Sequence, residues 1–180
     1  SLSVKFRFPI VIIDEDFRSE NSSGLGIRAM AKAIEDEGFE VVGVTSYGDL
    51  SQFAQQQSRA SAFVLSIDDE EFTPGPDLDP AVLSLRTFIE EVRWKNADVP
   101  IYVYGETKTS RHLPNDILRE LHGFIHMFED TPEFVAKHII REAKYYLEGI
   151  QPPFFKELLD YAEDGSYSWH CPGHSGGVAF

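Results

Sequence analysis

Apolar residues alternate along this chain between two spacings. Short β-branched or aromatic runs read as strands at residues 9–13 (Pro9-Ile10-Val11-Ile12-Ile13), 40–45, 62–67, 99–104 and 123–128. The third run, Ala62-Phe63-Val64-Leu65-Ser66-Ile67, is apolar enough to be buried on both faces. Between the runs, apolar positions recur at the helical period. Ile27, Met30, Ala31 and Ile34 form one stripe over residues 24–38, and Gly38 is a C-terminal stop. Residues 49–59 suggest a modest second helix, and the acidic, Pro/Gly-bearing stretch 68–77 a loop. Asp79-Pro80 opens a third helix with the stripe Val82, Leu85, Ile89 and Val92. Leu113-Pro114-Asn115-Asp116 starts a short helix. Thr131-Pro132-Glu133 opens the last long one, which turns Val135, Ile139, Ala143 and Tyr146 inward.

A strand followed by a helix, repeated five times, predicts an α/β fold: a parallel sheet with helices on both faces and right-handed crossovers. A common outcome at this length is the flavodoxin-like, receiver-like strand order 2-1-3-4-5. All-α and all-β architectures are excluded. After Ile150 the pattern changes: Gln151-Pro152-Pro153 breaks the helix, residues 154–161 read as a short amphipathic segment, and residues 164–180 are rich in Gly, Ser and aromatics. The division expected is a βα domain over 1–149 and a linker over 150–180 leading into a further domain.

Composition narrows the function. The 30 acidic residues against 16 basic ones give a formal charge of −14 over 180 residues. Such a surface repels phosphate backbones, so nucleic acid is not an expected partner. A single cysteine excludes an internal disulfide and fits a reducing compartment. No apolar run approaches the roughly 20 residues that span a bilayer. A cytoplasmic protein without a membrane partner is expected. The first residue is Ser, which suggests a trimmed start.

Three motifs invite a chemical reading. Asp14-Glu15-Asp16 ends the first strand, and Asp68 follows the third. Sites in open α/β sheets form at the carboxyl ends of the strands, and these acids resemble those with which response-regulator receivers hold Mg²⁺ and accept a phosphoryl group. The supporting groups differ: Val103-Tyr104-Gly105 closes the fourth strand without the usual hydroxyl, although Thr107 follows, and Met127-Phe128-Glu129 lacks the Lys-Pro of receivers. A receiver-shaped domain without phosphotransfer is therefore expected, its acids being solvated strand-end residues. Gly24-Leu25-Gly26-Ile27-Arg28-Ala29 formally matches the dinucleotide fingerprint, but residues 14–23 separate it from the strand and no acid ends the second strand. A flexible helix start is the better reading. His170-Cys171-Pro172-Gly173-His174 has zinc-like spacing, yet His112, His122, His126 and His138 supply no matching pair. No metal is expected.

The carboxy-terminal run carries the most specific signal. Pro152-Pro153-Phe154-Phe155-Lys156, then Leu158 and Tyr161, then Trp169 through Pro172-Gly173-His174-Ser175-Gly176-Gly177 to Phe180 resembles the junction between wing and catalytic domains in the bacterial ornithine/lysine/arginine decarboxylases. Their pattern is a Pro-Pro-aromatic start, a later Tyr and a Pro-Gly-His-x-Gly-Gly signature. The resemblance implies a receiver-like wing without phosphoacceptor chemistry, attached to an enzyme that removes CO₂ from a basic amino acid with pyridoxal phosphate. The family's Schiff-base segment Ser-x-His-Lys is missing and the last lysine is Lys156, so no catalytic residue and no bound cofactor are expected within these residues. Pro172, Gly173, His174, Gly176 and Gly177 are the motif positions carried over, either packing the start of the catalytic domain or touching its active site. The implied partners are the chain's own catalytic domain and other subunits of a homo-oligomer, with a regulatory nucleotide in some members. Tyr167-Ser168-Trp169 leans toward arginine among the three substrates. The alternative is a stand-alone pseudo-receiver that binds a signalling protein.

Overall fold

A computed structural model describes residues 8–46, 60–67, 80–126 and 128–149. The expected helix 49–59, the loop 68–77 with Asp68, the capping Asp79 and the whole segment 150–180, including Pro172, Gly173, His174, Gly176 and Gly177, lie outside the described residues.

Five parallel strands form one sheet in the order β2-β1-β3-β4-β5. They are β1 (Ile10–Ile13), β2 (Val41–Val44), β3 (Ala62–Ser66), β4 (Ile101–Gly105) and β5 (Gly123–His126). The described helices are α1 (Ser22–Asp36), α2 (Pro80–Lys95), the single turns α3 (Thr107–Ser110) and α4 (Asn115–Leu118), and α5 (Pro132–Gly149). The expected strand order is the observed one, with Ile10 opposite both Val41 and Ala62.

Side chains alternate across the pleat and build two cores. Ile10, Ile12, Val64, Tyr102 and Tyr104 meet α1 and α5 on one face. Val11, Ile13, Phe63, Leu65, Ile101 and Val103 meet α2 and α4 on the other. The predicted stripes are the buried ones: Ile27, Met30, Ala31 and Ile34 on α1, and Val82, Leu85, Ile89 and Val92 on α2. On α5, Val135, Ile139 and Ala143 are buried, while Tyr146 is half-buried and Leu147 takes the deeper place. Each such aliphatic side chain contributes about 1.5–3 kcal/mol by leaving water.

Three local features differ from the pattern-based expectation. First, α1 starts at Ser22, because the Asn21 side chain accepts a 2.8 Å hydrogen bond from Gly24 N and caps the helix. Gly24 therefore lies in the first turn, and its start is packed rather than flexible: a Cβ there would collide with Ser19 O and stand 2.5 Å from Asp16 O. Second, β5 stops at His126, two residues before the expected Phe128, whose backbone has a φ of 67°. Third, α3 adds a turn that the apolar pattern does not signal, since only Thr109 of its four residues is buried. Gly38 does end α1 as expected, with a φ of 102° that favours glycine.

Candidate functional site

The carboxyl edge of the sheet is where this fold ordinarily builds a site, and the described acids there, Asp14, Glu15 and Asp16, form no metal-holding group. Asp14 is buried at 3% exposure directly after β1, and its Oδ1 accepts from Asp16 N at 2.7 Å. Its backbone N donates to Val44 O, and Phe17 N donates back to Asp14 O, so the residue winds the chain into a tight turn. Glu15 faces solvent. Asp16 accepts from Asn21 Nδ2 at 3.3 Å, and the Arg28 guanidinium donates to Phe17 O and Ser19 O, both at 2.7 Å. The acids thus brace the loop between β1 and α1. Among the described residues no group of three metal-ligating side chains comes together.

Bulk fills the middle of this edge. Tyr104 at the end of β4 is buried, and its hydroxyl stands 3.4 Å from where a Cβ on Gly26 would lie. Gly26 is thus part of α1 and packs against a tyrosine at ordinary contact distance. Farther along, Thr107 Oγ1 donates to Glu129 Oε1 at 2.7 Å, tying the β4–α3 junction to the β5–α5 junction. Lys108 pairs with Glu106 at 3.2 Å. The Glu129 carboxylate on that hydroxyl would repel the extra negative charge of a phosphoryl group.

The opposite, amino edge carries an arrangement that sequence reasoning missed. Arg93 near the end of α2 donates from Nε to Glu120 Oε2 at 2.6 Å and from its Nη atoms to Asn96 O, Val99 O and Glu120 O. One guanidinium thereby fixes the α2–β4 loop to the segment before β5. Beside it, Tyr102 is buried at 1% exposure with its ring 5.6 Å from His138 and 6.3 Å from His122. Among the described residues the Tyr102 hydroxyl has no hydrogen-bond partner, and burial, with help from Glu142, pushes its pKa up. Burial and then the Arg93 charge push His122 below its ordinary value. Tyr146 of α5 reaches Asn96 Oδ1 at 3.1 Å, and burial raises its pKa. The sequence offered no signal for this cluster, because its members are scattered from residue 93 to residue 146.

The described lysines do not fit pyridoxal phosphate, which needs a sheltered amine and a carboxylate for its ring nitrogen. Lys32, Lys95, Lys108 and Lys137 are exposed and Lys144 is half-buried on a helix. No helix among the described residues is long and apolar enough to cross a membrane.

The family described as "Orn/Lys/Arg decarboxylase, N-terminal domain" matches residues 22–146. The chain belongs to that family. Lysine decarboxylase LdcA of Pseudomonas aeruginosa is 29% identical over 178 residues, covering 97% of this chain and 23% of the relative. The biodegradative arginine decarboxylase of Escherichia coli is 25% identical, covering 95% and 22%. The solved lysine decarboxylase A of P. aeruginosa superposes with a TM-score of 0.70 at 27% identity, over 94% of this chain and 22% of that one. The chain thus spans less than a quarter of the length of these relatives. A receiver domain protein from Clostridium thermocellum aligns with a TM-score of 0.52 at 14% identity over 77% of this chain and 95% of that one, which shows the receiver-like fold alone.

Proposed function

We propose that this chain is the wing of a cytoplasmic, pyridoxal-phosphate-dependent decarboxylase of basic amino acids, and that its work is assembly or regulation of the enzyme. The carrying observation is the match of nearly the whole chain to the first part of LdcA, at less than a quarter of that protein's length. In this reading residues 1–149 are the wing, 150–180 are the linker, and Pro172-Gly173-His174 with Gly176-Gly177 open the catalytic domain. The partners are that domain and further copies of the same subunit. Relatives acting on lysine and on arginine stand at similar identity, so the substrate is proposed as a class.

Two features support a non-catalytic role for the wing. At its carboxyl edge Tyr104 packs against α1 and the Glu129 carboxylate engages the Thr107 hydroxyl, and its described lysines stand exposed or half-buried on helices. The test is to follow the reading frame past Phe180 and assay the natural full-length protein for CO₂ release from lysine, arginine and ornithine. Release from one of them, with a change in assembly size when residues 1–149 are removed, is the expected result. A frame that stops near Phe180, or a full-length protein inert toward all three, would sink the proposal in favour of a stand-alone protein-binding domain.

A further inference from the structure

Two histidines from different elements rest on one buried ring at the amino edge. Tyr102 on β4 pairs with Gly123 on β5, and a Cβ on Gly123 would stand 3.3 Å from the tyrosine Cδ1 and Cε1. The glycine thus lets the ring lie across the edge strand. His138 of α5 meets that ring at 5.6 Å with an interplanar angle of 81°, and His122, just before β5, meets it at 6.3 Å and 54°. Each histidine also stands by an arginine. Arg141 Nη2 lies 3.3 Å from His138 Nδ1. A guanidinium can only donate, so Nδ1 is the acceptor and carries no proton in this contact. His122 lies in the field of Arg93, whose guanidinium is held in place by Glu120, Asn96 and Val99.

The other charges around the pair come from each element packed there. Asp98 in the loop before β4 and Glu142 on α5 favour an imidazolium at His122, whereas Arg93 and His138 oppose it. Glu142 and Arg141 act on Tyr102 with opposite signs. At His122 the opposing influences prevail, burial first and Arg93 next, and hold its pKa below the ordinary value. One imidazolium can rest against the Tyr102 ring as a cation–π contact. A second then faces the first, with two arginines behind the pair. We infer that Tyr102, His122 and His138 form an acid-operated latch, which holds the carboxy-terminal half of α5 on the sheet while both imidazoles are neutral and loosens it when both are protonated. Histidine is suited to this because its ordinary charge change falls between about pH 5 and pH 8. Ile139, Ala143 and Leu147 remain in the core beneath, so the latch sets how often α5 opens locally rather than whether the domain folds. If residues 150–180 lead into a catalytic domain, as proposed above, the latch ties acidity to that connection. The latch itself does not depend on that reading.

The test is amide hydrogen exchange of the 180-residue chain at about pH 7.5 and about pH 5.5. Rates are expressed as protection factors, so that the change in intrinsic exchange cancels. In the parent, protection of amides 139–149 of α5 is expected to fall roughly tenfold toward acid, while β1 and β3 keep theirs. His122→Gln and His138→Gln are each expected to retain a loss of roughly threefold, and the double variant none. Circular dichroism confirms that each variant keeps its fold. A folded double variant that loses protection as the parent does would overturn the latch. So would a parent that shows no loss in α5, or an equal loss in α5 and the strands. Should the double variant not fold, the parent decides alone, through the ring resonances of both histidines followed by NMR over the same range. Loss of protection in α5 that coincides with the titration of both rings supports the latch, and loss displaced from either would overturn it.

Discussion

The two ends of the sheet have exchanged their usual parts. At the carboxyl edge, where open α/β sheets ordinarily hold ligands, polar side chains brace the loops: Asp14 holds Asp16 N, and Thr107 donates to Glu129. At the amino edge, which ordinarily only closes the fold, Arg93 makes four hydrogen bonds and the Tyr102, His122 and His138 rings gather under α5. Both ends belong to one five-stranded parallel sheet, so the side chains set the difference.

Removing the amino-edge clamp is expected to have the largest effect. Arg93→Met leaves three carbonyl oxygens and Glu120 without their donor, and should cost about 3 kcal/mol of unfolding free energy. Urea denaturation measures it, and a cost below about 0.5 kcal/mol would show that the clamp is ornamental. The carboxyl edge is probed by Gly24→Ala, whose Cβ meets backbone rather than a side chain that can move aside. A loss of about 2 kcal/mol is expected. Gly149→Ala is its control, since no atom of the described residues lies within 4 Å of a Cβ there, and thermal unfolding of that variant should match the parent.

A smaller effect belongs to His122. Its folded pKa is depressed, first by burial and then by Arg93, from the ordinary value of 6.5. The unfolded chain therefore binds the proton more readily. The stability contributed by neutral His122 is present above pH 6.5 and is lost as pH falls from there through the folded value. The denaturation midpoint of the parent should drop between pH 7.5 and pH 5.5 more than that of His122→Gln. Equal drops would mean that other groups carry the acid sensitivity. The partial exposure of His122 keeps the difference small.

The fold was legible wherever periodicity and burial coincide. The α1 and α2 stripes and the βα alternation come from short-range spacing, and the sheet order follows from connection rules. The position of Asn21 as the helix cap was readable in principle, yet the glycines at 24 and 26 drew attention to themselves. The reason for Gly24 is tertiary, since a Cβ there meets the backbone of Ser19. Phe128, two residues past the end of β5, takes a left-handed conformation although its residue type favours a strand. The turn around it, with Glu129 N and Asp130 N on His126 O, overrides that preference. The acids at positions 14–16 were visible, but their inward and outward directions were not. The Arg93 clamp joins residues distant in the chain and left no local trace.

The sharpest contrast between the ends is that the carboxyl edge, receiver-like in shape, should not accept a phosphoryl group. Tyr104 packs beside α1, and the Glu129 carboxylate, which accepts from Thr107 Oγ1, would repel the incoming charge. Intact-mass spectrometry after incubation with acetyl phosphate and Mg²⁺ tests this directly. The expected result is an unchanged mass in the folded protein. A stoichiometric acyl-phosphate on Asp14, Asp16 or Asp68 would contradict it.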